Sequence, residues 1–111
     1  MDALKFPTRE ELKRREKRKA LELLLKTGWA FIGINTKAEG VDLPDHLMAR
    51  PVVGLNLIDG IVSLDADHQA EAALTFSSVV HVCKIPLDAI FMMHPVGSPD
   101  DALTFPESAP L

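Results

Sequence analysis

The change of pattern at Gly28 constrains the fold of this chain more than any other feature of its sequence. Thr8 followed by Glu11 has the spacing of a capping box at a helix start, and glycine is the usual residue just after a helix end. Charged and helix-favouring residues fill the interval between them. The sequence therefore predicts one helix from about Thr8 to Thr27, ended by Gly28.

Short β-forming segments separated by turn residues follow the helix. The loop Lys37–Arg50 is polar and contains at most one helical turn, at Asp45–Met48. Asp59-Gly60 has the composition of a type I′ hairpin turn, and Ser77-Ser78 reads as a second short hairpin connection. From Pro95 onward we expect little packing apart from an anchor at Phe105. The predicted strands and final element are Trp29–Thr36, Val52–Ile58, Ile61–Leu64, Ala72–Phe76, Val79–Ile85 and Leu87–His94.

This order of elements predicts a mainly β fold with an N-terminal α-helix. One helix and about five closely spaced antiparallel strands are typical of a small open β barrel or of two small antiparallel sheets. No βαβ alternation and no internal repeat is present, which disfavours the nucleotide-binding α/β folds. The 111 residues allow a single domain.

The end of the predicted helix carries more apolar residues than one face can hold. Leu21, Leu24 and Leu25 lie on one stripe, whereas Leu23 points elsewhere. The core of the domain can cover one side, and a neighbouring subunit is a candidate for the other.

Charge is distributed unevenly along the chain. Residues 1–26 contain nine Lys or Arg and five acids, a balance of +4, whereas residues 27–111 contain three and eleven, a balance of −8. A basic segment on an acidic body leaves contact with RNA or the ribosome open as a weaker alternative. Because Glu11, Glu16 and Glu22 are interleaved with the bases, a solvated helix with local ion pairs is the favoured interpretation. Tyr is absent and Trp occurs once, so an aromatic platform for stacking bases is not expected.

The cellular compartment is predicted from the N-terminus, the cysteine count and hydropathy. The first residues alternate in charge instead of forming a signal peptide, and no apolar run reaches the length of a membrane span. A single cysteine, Cys83, precludes an internal disulfide and is typical of a reducing compartment. We therefore expect a cytoplasmic protein with no membrane partner.

Side chains that could support catalysis or metal binding do not form a recognisable motif. The histidines at 46, 68, 81 and 94 stand alone, without paired metal-ligand spacing. Ser77, Ser78 and His81 suggest a nucleophile and a base, but the serines lack the strand–turn–helix motif of a nucleophile elbow. Cys83 is more simply explained as a small buried residue. We expect a protein that is not an enzyme and that needs no metal or cofactor.

An ordered series of segments from about residue 18 to residue 107 resembles the stringent starvation protein B (SspB) family. Each segment alone is weakly specific, but their order and spacing agree with the family over nearly ninety positions. The segments are Ala20–Leu25, Gly40–Pro44, Val53–Leu57, Ala72–Val79, Ile85–Leu87 with Ala89-Ile90, and Thr104–Glu107.

The resemblance implies a fold, an assembly and an activity. The fold would be a helix (1–28) followed by an Sm-like open β barrel (29–96) and a C-terminal tail segment (97–111). Two copies would dimerise through the helix at Leu21, Leu24 and Leu25. The activity would be that of a non-enzymatic adaptor, which binds the ssrA-type degradation tag of stalled-translation products and delivers them to the ClpX ATPase of the ClpXP protease. The peptide-binding residues carried over are Asn56, Leu57, Ile58, Leu74, Thr75, Phe76, Ser77, Ser78 and Val79.

The sequence departs from the family pattern at the proposed tag site. Thr75 stands where better-known members carry Arg, which would remove a charge-assisted contact to an acidic tag. Ser77-Ser78 stands where they carry glycine-containing pairs. Such a turn can need positive φ, which glycine adopts more readily than serine does. Family members usually continue into a basic-hydrophobic tail for ClpX, whereas no Lys or Arg follows Lys84 here. An altered tag preference, an Sm-like RNA-binding protein and an interaction domain that has lost tag binding remain as alternatives.

Overall fold

A computed structural model describes residues 7–110 of the chain. In chain order the main elements are helix α1 (Arg9–Thr27), strand β1 (Trp29–Asn35), the one-turn helix α2 (Asp45–Met48), and strands β2 (Val52–Ile58), β3 (Val62–Leu64), β4 (Gln69–Phe76), β5 (Val79–Pro86), β6 (Ile90–Pro95) and β7 (Leu103–Thr104). Short 3₁₀ turns cover Leu87–Ala89, Pro99–Asp101 and Pro106–Ser108.

The strands form two small antiparallel sheets. The first sheet has the order β2-β1-β6-β7, and the second has the order β3-β4-β5. The prediction of a mainly β fold with an N-terminal helix and two small antiparallel sheets is confirmed. The sheets do not close into a barrel.

Helix α1 begins and ends where the local signals predict. The Thr8 hydroxyl accepts a hydrogen bond of 3.1 Å from the Glu11 amide, and Gly28 at the other end has a φ of +144°. This cap satisfies one of the free amides of the first turn. None of the helices within residues 7–110 is long and apolar enough to span a membrane.

One hydrophobic core joins the helix to both sheets. Leu21 and Leu25 of α1 pack with apolar residues from each sheet and with Leu87 of the first 3₁₀ turn. The largest completely buried side chains are Leu21, Ile32, Ile34, Leu57, Ile85, Leu87, Ile90 and Met93. Burial of this apolar surface is the main driving force for the fold.

The Asp59-Gly60 turn does not form the predicted hairpin. β2 pairs only with β1, and β3 pairs with β4, so this turn carries the chain from the first sheet to the second. A type I′ turn needs positive φ at both central residues, but of these two only Gly60 has it, with φ of +96°. The Ile61 amide donates to the Ile58 carbonyl over 3.3 Å, which closes a single tight turn.

The segment after Pro95 is more ordered than the sequence predicted. β7 pairs with β6 through Met92–Thr104 and Met93–Leu103, and the Phe105 amide donates to the Phe91 carbonyl over 2.7 Å. Phe105 itself packs against the core, as expected for an anchor. The pairing with β6 was missed because β7 is only two residues long, too short for a recognisable alternation.

Candidate functional site

The β4–β5 hairpin extends beyond the core at its turn. Ala72 and Cys83, opposite each other, are buried, whereas the residues nearer the turn become progressively exposed. We call Leu74–His81 the hairpin tip. Its cross-strand pairs are Leu74–His81, Thr75–Val80 and Phe76–Val79.

The two faces of the hairpin tip differ in their surroundings. Because opposite residues share a face and successive residues alternate, Leu74, Phe76, Val79 and His81 continue the inward face of the sheet. Thr75 and Val80 lie on the outward face, where the Val80 side chain is 65% exposed. The inward face of the tip therefore presents apolar side chains that the core does not cover.

A groove of about 370 Å³ lies between this inward face and the loop that contains α2. It is lined by Pro44, His46, Phe76, Ser77, Val79 and His81. The His46 ring meets the Phe76 ring edge to face, with 6.0 Å between centroids. The groove thus has apolar walls with two imidazole rings as polar groups, a composition typical of small binding clefts.

Asp42 attaches the loop to β5 at one end of the groove. Its carboxylate Oδ1 lies 3.0 Å from His81 Nε2. Its main chain exchanges two hydrogen bonds with Lys84, of 2.9 and 3.0 Å. The loop therefore adds one residue of antiparallel strand to the edge of the second sheet before it turns into α2 at Pro44.

The rest of that edge is open. The amide and carbonyl of Lys84 point toward Asp42 and away from β4. Because main-chain groups alternate in direction along a strand, the amides and carbonyls of Val82 and Val80 point to that same side. Throughout residues 7–110 no main-chain group pairs with Val80 or Val82 on that side. An open edge with exposed apolar side chains is a template for a further strand.

The hairpin turn stores backbone strain beside the groove. Ser77 and Ser78 have φ of +49° and +70°, the two positive values of a type I′ turn. The short hairpin connection predicted from the sequence is confirmed. The left-handed region costs an L residue about 1–2 kcal/mol, so two serines occupy positions that favour asparagine and glycine.

The structure brings together only part of the predicted peptide-binding set. Phe76, Ser77 and Val79 line the groove, and Leu74 lies half-buried on the same face. Ser78 completes the turn, while Thr75 faces outward opposite Val80.

The predicted residues of β2 lie elsewhere. Asn56 and Ile58 belong to the first sheet, where they stand opposite Phe31 and Trp29, and they do not line the groove. Leu57 is completely buried in the core and offers no surface to a ligand. The alternation of β2 directs Leu57 inward and its two neighbours outward.

Sequence reasoning missed the loop side of the groove. Asp42, Pro44 and His46 come from a segment whose local pattern predicts only a polar loop. The one signal available was the resemblance of Gly40–Pro44 to a family segment, which carries no information about what the loop contacts. His81 was considered only as a possible base for the turn serines.

Outside the groove, the helix residues predicted to form a dimer interface are mostly buried. Leu21 and Leu25 lie in the chain's own core, where they have no surface left for a neighbouring subunit, and Leu24 is half-buried against it. Leu23 lies on the opposite side of α1 with 56% of its surface exposed, and Leu12 shares that side. The apolar surface left over on the helix is therefore centred on Leu23.

Several basic residues of α1 are engaged within the chain. Arg14 Nε donates to both oxygens of Asp88, over 2.9 and 3.1 Å, and this hydrogen bond raises the arginine pKa. Arg18 donates to the Leu64 and Asp65 carbonyls. Because these bases hold the helix against the β structure, they are less available to phosphates than the sequence suggested.

Cys83 is a buried residue of β5. Burial, with a smaller effect of the nearby Asp42 carboxylate, raises the pKa of its thiol to about 11. The neutral thiol is therefore favoured, and a thiolate nucleophile is disfavoured.

The remaining residues considered for catalysis or metal binding are not assembled into a centre. No hydrogen bond joins His81 to Ser77 or Ser78; its ring is bonded to Asp42 instead. In the part of the chain that the structure describes, no three His, Cys, Asp or Glu side chains cluster closely enough to hold a metal ion.

Comparison with known proteins adds no assignment. No protein-family model matches the chain, and no curated protein matches it. The function is therefore inferred from the geometry of the groove and the hairpin tip, together with the motif resemblance.

Proposed function

We propose that this chain is a peptide-binding adaptor of the SspB type, which holds the degradation tag of stalled-translation products and delivers them to the ClpXP protease. The observation that carries the proposal is the open edge of β5 beside an apolar groove. The helix and two antiparallel sheets are compatible with the Sm-like open barrel of that family. Its motif order, over residues 18–107, supplies the link to proteolysis.

The open edge of β5 suits an extended peptide. A peptide laid along Val80 and Val82 would extend the second sheet by one strand, with main-chain hydrogen bonds to both residues. Its alternate side chains would then point to opposite faces of the sheet. Those opposite His81 would enter the groove, where Phe76 and Val79 provide apolar contacts. This geometry gives affinity through the main chain and selectivity through the groove.

Delivery requires no chemical step. An adaptor raises the concentration of a tagged protein near the protease by holding both at once. Two copies would increase this effect, and we place their contact on the Leu23 side of α1 because Leu21 and Leu25 are buried. Leu23→Glu should therefore convert a dimer to a monomer in sedimentation, whereas Lys19→Glu on the same exposed side should act less strongly because no apolar contact is lost.

The direct test is titration of the protein into a fluorescent ssrA-type tag peptide, with a scrambled peptide as control. Saturable, sequence-dependent binding is expected. Val80→Pro removes the amide that points to the open edge without removing a β4–β5 hydrogen bond, so it should weaken binding at least about fivefold. Val80→Thr keeps the amide and is the matched control. Circular dichroism checks that each variant is folded.

Two results would contradict the proposal. Absence of binding by the folded protein to every peptide tried would leave an interaction domain whose ligand is not a tag. Equal binding by Val80→Pro and Val80→Thr would remove the β5 edge from the site. Degradation of a tagged fluorescent protein by ClpXP, with and without the adaptor, then tests delivery separately from binding.

A further inference from the structure

The groove and the hairpin tip lack formal charges of their own. Residues 72–83 include no Lys, Arg, Asp or Glu, and none of the six lining residues is a lysine or an arginine. Thr75, where the family resemblance predicts an arginine, is neutral and faces outward. An acidic peptide side chain entering the groove would therefore meet no permanent positive charge.

The loop beside the groove carries two carboxylates, Asp42 and Asp45, which adjoin lining residues without lining the groove themselves. The Asp42 side chain is 56% exposed, and only its Oδ1 has a partner, His81. Asp45, also exposed, lies in the first turn of α2 beside His46. Lys84 is the main-chain partner of Asp42, but no ion pair joins their side chains among the described residues. Two carboxylates therefore stand at this end of the groove against one lysine, Lys84.

We propose that the groove selects an extended apolar segment flanked by a basic residue and discriminates against acidic segments. The inference rests on the proposed peptide-binding function and specifies a ligand less acidic than the tag that the family binds. Apolar side chains bury against Phe76 and Val79, while a lysine or arginine beside them approaches the Asp42 and Asp45 carboxylates. An acidic residue at the same place is repelled by them and loses water without gaining a partner.

The expected selectivity is moderate because the carboxylates are exposed. Exposed ion pairs contribute little, so exchanging a neutral flanking residue for a basic one should tighten binding about three- to fivefold at low salt. An acidic residue should weaken it by a similar factor. Both differences should shrink as ionic strength rises, since screening acts on charges near solvent, whereas the apolar part of the affinity should persist.

Three fluorescent peptides with one apolar core, flanked by Lys, Gln or Glu, test the proposal. Affinities are measured by anisotropy at about 0.05 M and about 0.5 M NaCl, where screening lengths differ severalfold. The order Lys, then Gln, then Glu is expected at low salt, with convergence at high salt.

Asp42→Asn locates the effect. The amide oxygen of asparagine can still accept a hydrogen bond from His81, so the loop should stay attached while the negative charge is lost. We expect this variant to bind the Lys and Gln peptides about equally. Asp100→Asn, at an exposed carboxylate of the 3₁₀ turn Pro99–Asp101, is the matched control and should keep the full preference.

The outcomes separate this inference from the proposed function. Tightest binding of the Glu peptide, or equal binding of all three, overturns charge selection while peptide binding stands. Loss of the Lys preference in Asp100→Asn as much as in Asp42→Asn also overturns it. Failure of every peptide, the ssrA-type tag included, overturns the proposed function itself.

Discussion

Lys17 Nζ donates a hydrogen bond of 2.8 Å to the Ile90 carbonyl, which ties the middle of α1 to the first residue of β6. The same ammonium donates to the Leu87 carbonyl and the Ser108 hydroxyl, each over 2.9 Å, and lies 4.8 Å from the centre of the Phe105 ring. The side chain is almost completely buried, and this desolvation lowers its pKa. One lysine thus holds helix, sheet and C-terminal segment together.

Replacement of Lys17 by methionine should destabilise the protein by about 2 kcal/mol. The apolar side chain has a similar length, but the Leu87 and Ile90 carbonyls lose a charged donor in a buried place. The Phe105 amide, bonded to Phe91, should exchange faster as the C-terminal segment loosens. Urea unfolding and amide hydrogen exchange measure the two effects.

Lys19→Met is the matched control for this prediction. Lys19 is exposed on the same helix, so its replacement should change the free energy of unfolding by less than about 0.5 kcal/mol. Equal stability of the two variants, with unchanged exchange at Phe105, would contradict the role assigned to Lys17.

Replacement of Ser77-Ser78 by Asn-Gly should stabilise the protein by about 1–2 kcal/mol. Both serines have positive φ, and Asn-Gly is the preferred pair for a type I′ turn because it removes most of that strain. The midpoint of urea unfolding should rise with an unchanged slope. Ser63→Gly in β3 is the control, and there glycine should cost about 0.5–1 kcal/mol. A loss of stability in the Asn-Gly variant would mean that the turn is not strained.

Gly54→Ala should destabilise the first sheet by about 1–3 kcal/mol. A Cβ at Gly54 would meet the Phe31 ring, which lies over Gly54. The same ring stacks on the His94 ring, with 4.8 Å between centroids. The ring must move and the stack must open. In a Phe31→Ala background the same substitution should cost little, so a double-mutant cycle of unfolding free energies should give a large coupling. Additive effects would show that Phe31 is not the obstacle.

Stability should fall as pH rises from about 9 to about 11 because of Cys83. Its ordinary pKa of 9.0 is raised to about 11 by burial, so within this window the folded state keeps a proton that the unfolded state has lost. The stabilisation is present below pH 9 and is lost as pH rises through about 11, for a total of about 3 kcal/mol.

Cys83→Ala isolates this contribution. Lys17 acts in the opposite direction, since its lowered pKa makes the folded state lose its proton first and stability rise with pH. Because both proteins contain Lys17, the difference between their pH profiles belongs to Cys83. Parallel profiles above pH 9 would contradict the prediction, whatever the cavity left by alanine costs at neutral pH.

The sequence by itself determined the elements whose signals are local. The Thr8 cap and Gly28 set the ends of α1. Ser77-Ser78 forms the turn between β4 and β5, two paired strands that follow each other directly in the sequence. The one-turn helix Asp45–Met48 and strand Val52–Ile58 were predicted with their observed bounds. In each case a short-range preference of the backbone agrees with the final fold.

Tertiary structure decided everything that depends on contacts between distant residues. Asp59-Gly60 has the composition of a hairpin turn, yet the pairing of β3 with β4 directs the chain to the other sheet. Leu21 and Leu23 are alike as residues, and only packing against the sheets buries one and exposes the other.

The candidate site combines residues predicted from local signals with residues that only tertiary contacts bring to it. Phe76, Ser77 and Val79 belong to one hairpin and were predicted together, whereas Asp42 and His46 join them from a loop some thirty residues earlier in the chain. Their approach is fixed by the Asp42–Lys84 main-chain pair and by the contact of His46 with Phe76. Such contacts leave no periodic trace in the sequence, because hydrophobic periodicity records which face of an element is buried and not what lies against it.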